Sequence, residues 1–494
     1  MAACLIARRW RGAVVTVVED PDIGIIGVGE GSTPQLKALF DTLGIAEADW
    51  MPRCQATFKH GIRFDGWSDR PGHASYFHPF AGPLDMHSAP LFFDLCHARQ
   101  QGVDVPAHPD RFFLSALLAA GRKAPHPDES FPFDPGYGYH FDSALIGRVL
   151  AEHAGRRLGV RHVARNVRGA EIEDGRIARL VLADDEPLAG DLFIDASGFR
   201  ALLAGDALGV PFLSFADTLF NDRAVVLPGP VAPDGPDAQT RATALSAGWA
   251  WAIPLQHRTG HGYVYASRYL DGAAAEAELR AHLRLDGGDA PPARHLTMRV
   301  GRLAESWAAN CLAIGLAQGF VEPLEATALH IVQATVEGFI QAFEAGGFTP
   351  RHRDAFNRRI AARIDGIRDY IVCHYRMNGR RDTPYWRDAA ALTGLSDSLE
   401  TVLAAWTAGE DLGAVIDGLG IGGIYAPMSW YCLLAGYGAF AGPARAAPPP
   451  GLAARLDRVD DFLRRAARNF GGQKAWLAQT AAAAGKDGVW RAQR

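Results

Sequence analysis

The chain has 494 residues, in which 50 lysine and arginine residues stand against 55 aspartate and glutamate residues, for a formal net charge of −5. This length exceeds one ordinary hydrophobic core, so we expect either two packed units or one large α/β domain with a helical extension. The near balance of charge, without a basic block, argues against a nucleic-acid-binding stripe and against a polybasic membrane patch. Chemistry on a small molecule is the remaining expectation.

Cysteine spacing and hydropathy limit the class of protein further. No Cys-x-x-Cys pair occurs, and no apolar run reaches the length of a transmembrane helix. Scattered cysteines are typical of reduced thiols rather than of a disulfide framework, and the arginines that follow the first apolar residues do not have the order of a signal peptide. We expect a soluble, cytoplasmic protein without a bound metal. The cysteines are Cys4, Cys54, Cys96, Cys311, Cys373 and Cys432.

The first predicted elements are a helix over residues 2–10 and a strand over residues 13–18 that Glu19 closes. A helix followed by a buried strand that ends in an acid is the second half of a dinucleotide-binding βαβ unit, in which the acid hydrogen-bonds a ribose hydroxyl. An ordinary buried strand is the alternative. The usual first strand and Gly-x-Gly-x-x-Gly turn do not precede the helix, so we expect a truncated chain or a misplaced start.

Residues 27–34, Gly-Val-Gly-Glu-Gly-Ser-Thr-Pro, contain too much glycine for regular structure. They predict a loop whose backbone approaches a ligand closely, with a plain turn as the alternative. The strand-like run 56–64 contains Lys59, one of five lysines in a chain with 45 arginines. Because lysine can lose its proton when buried and arginine cannot, Lys59 is a candidate nucleophile or compact donor, although a surface lysine is the simpler interpretation.

The middle of the chain predicts a second ligand-binding loop. A helix that starts at Tyr139 is followed by short strands and by an apolar strand over residues 192–194, which leads into the small-residue stretch 195–200. Ligand contacts in open α/β sheets usually lie where a strand delivers its C-terminal end into such a loop.

The C-terminal part has a helical pattern. Thr349 and Pro350 supply an N-cap and a first-turn proline, and apolar residues then recur every three or four positions. This apolar face contains Phe356, Ile360, Ile364, Ile367 and Ile371.

Two further motifs point to chemistry. Residues 248–254 form a strand pattern that places Trp249 and Trp251 on one face, where they either line a wall or pack in the core. Residues 310–328 form an apolar strand that runs into a loop with Glu322 and Glu325, a position suited to a helix N-terminus beside a cofactor.

Together these motifs resemble the flavin-dependent halogenases of the tryptophan halogenase family. The resemblance covers residues 1–440 and depends most on the Trp-x-Trp-x-Ile-Pro sequence that begins at Trp249. It implies an α/β fold, with an FAD-binding Rossmann-like module of the flavin monooxygenase type over residues 1–345 and a mostly helical, substrate-covering part over residues 346–494. The other matching stretches are 27–34, 56–64, 139–142, 194–200, 313–325 and 382–387.

The resemblance also implies the reaction. Reduced FAD, oxygen and a halide ion, either chloride or bromide, give hypohalous acid, which reaches Lys59 and halogenates an electron-rich aromatic. Lys59 either forms a haloamine or holds the hypohalous acid by a hydrogen bond, and Glu325 polarises the electrophile or accepts the ring proton. A separate flavin reductase is expected to supply diffusible reduced FAD, and a homodimer is compatible with the sequence.

By the same resemblance, the remaining site residues fall into three groups. The backbone of Thr327 and Ala328 binds the halide ion. The cofactor group is Glu19, Gly27, Gly29, Glu30, Asp195, Gly198, Gly315 and Leu316. The residues of the substrate pocket, or of a shield between substrate and flavin, are Trp249, Trp251, His78, Phe80, Tyr425 and Trp430.

The chain departs from the family at two further places. Ala326 and Ala328 replace the usual serine and glycine, which removes a partner for Lys59 and strains Ala328 if that position needs a positive φ. The stretch before Cys432 lacks the glutamate with which free-tryptophan halogenases hold their substrate, and Tyr425 replaces a sandwiching tryptophan. We therefore expect an indole, a phenol or a larger aromatic substrate rather than free tryptophan, and weak FAD binding.

Two other functions are compatible with the sequence. A flavin-dependent aromatic monooxygenase is the enzyme alternative, against which the tryptophan pair and Lys59 argue. The second is a catalytically inactive homologue that binds an aromatic ligand or a partner protein, because the phosphate loop is missing and the halide loop is altered.

Overall fold

The chain mixes helices and strands up to residue 320 and is almost entirely helical after it. The computed structural model describes residues 1–24, 27, 29–184, 186–285 and 291–486. The helices are α1 Ala2–Arg9, α2 Gln35–Leu43, α3 Glu47–Trp50, α4 Ala89–Gln100, α5 Leu114–Ala120, α6 Ser143–Leu158, α7 Gly272–Leu283, α8 Ala328–Ala345, α9 Arg353–Met377, α10 Pro384–Ala390, α11 Asp397–Ala408, α12 Leu412–Leu419, α13 Pro427–Gly436, α14 Leu452–Ala467 and α15 Gln473–Lys486. The strands are β1 Thr16–Glu19, β2 Glu30–Gly31, β3 Thr57–Lys59, β4 Gly61–Asp65, β5 Ser75–Pro79, β6 Lys123–Pro127, β7 Gly138–Phe141, β8 Arg161–Ala164, β9 Val167–Glu173, β10 Arg176–Leu182, β11 Pro187–Ala189, β12 Phe193–Asp195, β13 Phe212–Ser214, β14 Arg223–Gly229, β15 Thr240–Leu245, β16 Gly248–Pro254, β17 Thr259–Tyr265, β18 Arg294–Thr297, β19 Gly301–Leu303, β20 Trp307–Ala308, β21 Cys311–Ala313, β22 Gly319–Phe320 and β23 Phe470–Gly472.

Two pairs of parallel strands form the part of the fold that the N-terminal pattern predicted. Helix α1 leads into β1, which pairs in parallel with β8. Strand β12 pairs in parallel with β21, and both strands open into loops at their C-terminal ends. Parallel strands connected through helices define an α/β fold, so the predicted fold class is confirmed.

A mixed seven-stranded sheet, in the order β18-β14-β17-β16-β15-β4-β5, carries the tryptophan pair. On β16 the side chains of Trp249 and Trp251 share one face, because successive residues of a strand alternate. Gly262 on β17 pairs with Trp251, and a Cβ atom at this glycine would approach the indole to 2.2 Å. The absence of a side chain at Gly262 is therefore what makes room for the indole.

Lys59 is the last residue of β3, in a smaller sheet with the order β2-β7-β3. The edge of β3 is held from the C-terminal part of the chain. The backbone N–H of Phe58 donates to Gln473 Oε1 at 2.6 Å, and Gln473 Nε2 donates to the carbonyl of Pro236 at 3.0 Å. The first residue of α15 therefore fixes the strand that carries the lysine.

The long helix α9 packs against the sheets through the face that the sequence predicted. Its five predicted apolar residues, from Phe356 to Ile371, are all buried, and one buried cluster contains residues from both predicted parts of the chain. The division at residue 345 remains a prediction. None of the described helices is long and apolar enough to cross a membrane, and all six cysteines are buried and unpaired.

The predicted helix start at Tyr139 was wrong. Tyr139 lies in β7, and α6 begins at Ser143 after Asp142, whose carboxylate accepts hydrogen bonds from the backbone N–H groups of the first turn. Alternate aromatic residues at positions 139 and 141 favour a strand, and the N-capping aspartate that follows them marks the true start of the helix.

The predicted N-cap at Thr349 was also wrong. A 3-10 turn over Pro350–His352 precedes α9, and the Thr349 side chain makes no capping hydrogen bond to that turn. Its hydroxyl donates instead to the carbonyl of Gly346 at 2.6 Å. The proline therefore starts a short turn, and the α-helix begins three residues later, at Arg353.

We expect the Gln473→Ala variant to be less stable than the unaltered protein by about 1–3 kcal/mol, because the buried N–H of Phe58 loses its acceptor. The measurement is the midpoint of urea unfolding followed by tryptophan fluorescence. The control is Gln101→Ala on the exposed end of α4, where a surface substitution changes stability by no more than about 0.5 kcal/mol. Equal midpoints for the two variants would show that Gln473 does not support β3.

Candidate active site

A cavity of about 1970 Å³ is lined by residues of β1, β12 and β16. Pockets for small ligands usually measure about 300–1000 Å³, so this cavity is large enough for a dinucleotide. Lys59, Trp249, Trp251 and Ala328 line the same cavity. All of the predicted cofactor group also lines it: Glu19, Gly27, Gly29, Glu30, Asp195, Gly198, Gly315 and Leu316.

Two glycines in the left-handed region shape the cavity wall where strands end. Gly198 follows β12 with a φ of 74°, and Gly315 follows β21 with a φ of 60°. Glycine adopts this conformation without steric cost, and the missing side chain lets the backbone approach a ligand. These two loops are therefore suited to a cofactor that lies against the strand ends.

The three acidic residues of the cofactor group have different surroundings. Asp195 is committed to its own loop, since its carboxylate accepts hydrogen bonds from the Ser197 backbone and hydroxyl and from two backbone N–H groups, all at 2.6–3.0 Å. Glu19 is exposed and lies 2.8 Å from His162 Nε2. Burial raises the pKa of Glu30 to about 7. Asp195 therefore shapes the site, while Glu19 has an accessible carboxylate.

Glu322 anchors Trp249, the first residue of the tryptophan pair. Its Oε2 accepts hydrogen bonds from Trp249 Nε1 at 3.2 Å, from Asn221 Nδ2 at 2.9 Å and from the Tyr375 hydroxyl. Burial raises the pKa of Glu322, and these three donors partly offset that effect. The carboxylate thus holds Trp249 from behind, and the Trp251 ring lies beside it with the two ring centroids 6.1 Å apart.

Lys59 has a buried amine without a neutralising contact. The side chain is 0% exposed, and its Nζ makes no hydrogen bond to any described residue. Burial lowers the pKa of Lys59 to about 7, against an opposing effect of Glu325. Gly31 leaves room for the amine, because a Cβ atom there would lie 3.1 Å from Nζ. Near neutral pH the side chain is therefore both a donor and a nucleophilic amine.

Glu325 is buried between two histidines. His78 Nδ1 hydrogen-bonds Oε2 at 3.1 Å, and His374 Nε2 lies 3.0 Å from Oε1, off the angle of a hydrogen bond. Burial acts to raise the pKa of Glu325, but the two histidines outweigh it and lower the pKa to about 2. The side chain is therefore held as a carboxylate near neutral pH.

The halide loop corrects one expectation. Ala328 is the first residue of α8 and has no positive φ, whereas Ala326 has a φ of 54°. The predicted strain at Ala328 was therefore misplaced by two residues, because position 328 is already helical. Thr327 makes no side-chain cap on α8. The first N–H groups of a helix lack intrahelical acceptors, so this end of an 18-residue helix suits an anion.

On the side of Lys59 towards Glu325 lies an aromatic cluster, which we define as His78, Phe80, Tyr370, Tyr425 and Trp430. The Phe80 ring is 5.2 Å from Lys59 Nζ. Tyr370 stacks on Tyr425 with centroids 3.7 Å apart and meets Trp430 edge-on at 4.9 Å. Lys59 therefore stands where the large cavity meets this cluster.

Sequence reasoning missed several residues of the site. Tyr370 and His374 lie on α9, where only the apolar face had been noted, and Glu322 was noted without a role. One signal was available for the helix residues: a histidine and tyrosines inside an otherwise apolar face are polar groups that need buried partners. The partners themselves come from distant parts of the chain and leave no local pattern.

A Rossmann-like cofactor cavity joined to a buried lysine and a tryptophan wall defines a flavin-dependent oxidoreductase of the halogenase class. The family model described as tryptophan halogenase matches residues 1–448. The chain belongs to the tryptophan halogenase family, whose members are flavin-dependent halogenases, and the predicted family and enzyme class are thereby confirmed.

Individual relatives agree with this assignment. The 7-chloro-L-tryptophan 6-halogenase KtzR of Kutzneria sp. (strain 744) is 38% identical over 464 residues, which cover 88% of this chain and 87% of the relative. The crystal structure of tryptophan 6-halogenase SttH from Streptomyces toxytricini superposes with a TM-score of 0.81 at 34% identity, covering 97% and 96% of the two chains. BrvH, a flavin-dependent halogenase from Brevundimonas sp. BAL3, superposes with the same score at 31% identity and the same coverage.

We expect Lys59 to titrate near pH 7, well below the usual lysine pKa of about 10.4. The measurement is ¹³C NMR of the reductively methylated protein, whose five lysines give few signals. The signal of Lys59 is identified by its absence from the Lys59→Arg variant, and Lys37→Arg serves as the control on an exposed helix. A Lys59 signal that titrates with the others would contradict the burial of an unpaired amine.

Proposed function

We propose that this protein halogenates an electron-rich aromatic substrate with reduced FAD, oxygen and a halide ion, and that Lys59 delivers the halogen. The observation that supports this most is the position of the Lys59 amine, which lines the cofactor cavity on one side and faces Phe80 of the aromatic cluster on the other. A buried amine between the cofactor cavity and the aromatic cluster suits the transfer of a halogen from the cofactor side to an aromatic ring.

The cavity fits FAD. Gly198 and Gly315 allow the backbone to approach the cofactor, and Glu19 stands at the end of β1, where an acid in this fold hydrogen-bonds a ribose hydroxyl. When bound, reduced FAD supplies, with oxygen, the two-electron oxidation of halide to hypohalous acid. We propose that a separate flavin reductase supplies the reduced form.

Trp249 and Trp251 are proposed as the wall between the cofactor and the aromatic substrate. Both indoles line the cavity, and Glu322 holds Trp249 from behind. The proposed halide site is the backbone of Thr327 and Ala328 at the N-terminus of α8. Backbone N–H groups and the helix dipole attract an anion without a titrating side chain.

At Lys59 the halogen of hypohalous acid is presented to one ring carbon. The carbon–halogen bond forms as the halogen–oxygen bond breaks, and the ring proton passes to the Glu325 carboxylate. The departing hydroxide takes a proton from Lys59 and leaves as water, and the proton on Glu325 restores the balance at the end of the cycle. Lys59 acts either as the hydrogen-bond donor or as a transient haloamine, and its pKa of about 7 permits both forms at neutral pH.

We propose that the substrate is an indole, a phenol or a larger aromatic rather than free tryptophan. Around Tyr425 the loop 421–425 contains no acidic residue. The nearby Asp369 is committed to Arg368, Ser396 and Ser398, so it does not offer a carboxylate for a substrate ammonium group. Aromatic rings dominate this region, which favours a ring without a charged tail.

The test is mass spectrometry of a reaction with FAD, a flavin reductase, NADH, oxygen, bromide and a panel of indoles and phenols. We expect a product with the isotope doublet of bromine, and a loss of about 100-fold or more in the Lys59→Ala variant. Lys37→Ala, on the exposed face of α2, is the control and should keep full activity. An oxygenated product would assign the protein to the monooxygenases, and reoxidised flavin without any product would favour an inactive homologue.

We expect kcat/KM for free tryptophan to be lower than for indole by about tenfold or more, since about 1.4 kcal/mol or more is lost when a charged tail is buried without a partner. Competition between the two substrates in one reaction gives this ratio directly. Tryptamine and indole-3-propionate are the controls, because each carries one of the two charged groups. Preferred turnover of tryptophan would contradict the proposed substrate class.

A further inference from the structure

The carboxylate of Glu325 has two unequal oxygens. Its Oε2 hydrogen-bonds His78, whereas Oε1 accepts no hydrogen bond from any described residue and faces His374 Nε2 at 3.0 Å. An oxygen with free lone pairs is the one that can take up a proton. His78 is the larger of the two influences that lower the pKa of this carboxylate, and His374 is the group that lies beside Oε1.

His374 is itself fixed on all sides. The residue is 0% exposed on α9, its ring stacks on Phe64 at 4.7 Å, and its Nδ1 lies 2.8 Å from the Tyr437 hydroxyl. A hydrogen bond at one ring nitrogen determines which tautomer the other nitrogen presents. The ring thus connects a tyrosine hydroxyl to the carboxylate in one fixed orientation.

We propose that His374 is a positioning residue for Glu325. His374 keeps the Glu325 carboxylate ionised and directs its Oε1 towards the proton on the substrate ring. This inference rests on the proposed function, because it assigns the proton of the halogenated ring to Glu325. The reason is physical: a carboxylate taken out of water prefers its neutral form unless a donor or a positive charge compensates. A neutral Glu325 could not accept the proton.

The other titratable groups around His374 do not replace it. Those that face it are Glu325 and His78 across the site, Tyr370 one turn earlier on α9, and Tyr437 behind it. Tyr370 directs its hydroxyl to the carbonyl of Ser429 at 2.9 Å. Among the residues that the structure describes, His374 is the one whose ring nitrogen lies 3.0 Å from Oε1.

The experiment compares His374→Leu, which removes the partner, with His374→Gln, which keeps an N–H donor of similar reach. For the leucine variant we expect kcat to fall by about tenfold at pH 7.5, because Oε1 is no longer directed towards the ring proton, with little change in KM for the aromatic substrate. A depressed carboxylate pKa means that the ionised form is present above it and lost as the pH falls through it. Removal of His374 raises that pKa from about 2 by about one to three pH units, so the ratio of variant to unaltered activity should be constant above about pH 6 and should fall between pH 6 and pH 4.

His374→Gln should retain more activity and a flatter pH dependence than His374→Leu. Tyr437→Phe, which deletes only the hydroxyl behind the ring, should give a smaller shift in the same direction. His153→Gln on α6, a partly buried histidine outside the site, is the control and should leave the profile unchanged. A loss that is the same at every pH, or a change in KM alone, would overturn the inference.

A second measurement does not depend on activity. In the protein labelled with ¹⁵N-histidine, the ring signals of His374 are identified by their absence from His374→Gln, and we expect them to shift in Glu325→Gln. Unshifted signals in a protein that halogenates its substrate would overturn this inference alone. If the unaltered protein halogenates nothing while the signals shift, the proposed function fails and the contact between the two side chains stands.

Discussion

The removal of charged groups from water is the constraint on which the rest of this site depends. Lys59 has no exposed surface and no hydrogen-bond partner among the described residues, so burial alone brings its pKa down to about 7. Three neighbours keep the Lys59 side chain in this buried position. Strand β7 pairs with its strand, Gly31 packs against its amine, and Gln473 hydrogen-bonds the edge of β3. A lysine at the surface would have none of this chemistry.

Three glutamates that lie wholly or partly out of water show how hydrogen-bond partners change the effect of burial on a carboxylate pKa. Burial raises the pKa of Glu30 to about 7, with no compensating partner among the described residues, and three donors only partly offset the same effect at Glu322. At Glu325, His78 and His374 reverse it, and the pKa falls to about 2. One carboxylate therefore supports a tryptophan wall, while another, a few residues later, remains ionised and able to act as a base.

Much of the fold could be predicted from local pattern. The alternation around Trp249 and Trp251 correctly predicted both ends of β16. The apolar spacing from Phe356 to Ile371 correctly predicted the buried face of α9. Predictions failed where two local rules competed. Tyr139 lies in a strand, in agreement with its aromatic alternation, and not in the helix that follows. After Thr349 a 3-10 turn precedes the helix in place of the expected N-cap. In the halide loop, the positive φ fell on Ala326, because Ala328 already belongs to α8.

By itself the sequence determined the elements and the chemical groups that this protein uses, because strand alternation, helix periodicity and the need for a lysine rather than an arginine are local properties. The tertiary structure alone decided which charges meet. His78 on β5 and His374 on α9 are 296 positions apart in the sequence. Yet a ring nitrogen of each lies about 3 Å from the carboxylate of Glu325, which precedes α8. Protonation in a buried site is set by such contacts, and a contact between distant residues has no signature in the local pattern of either one.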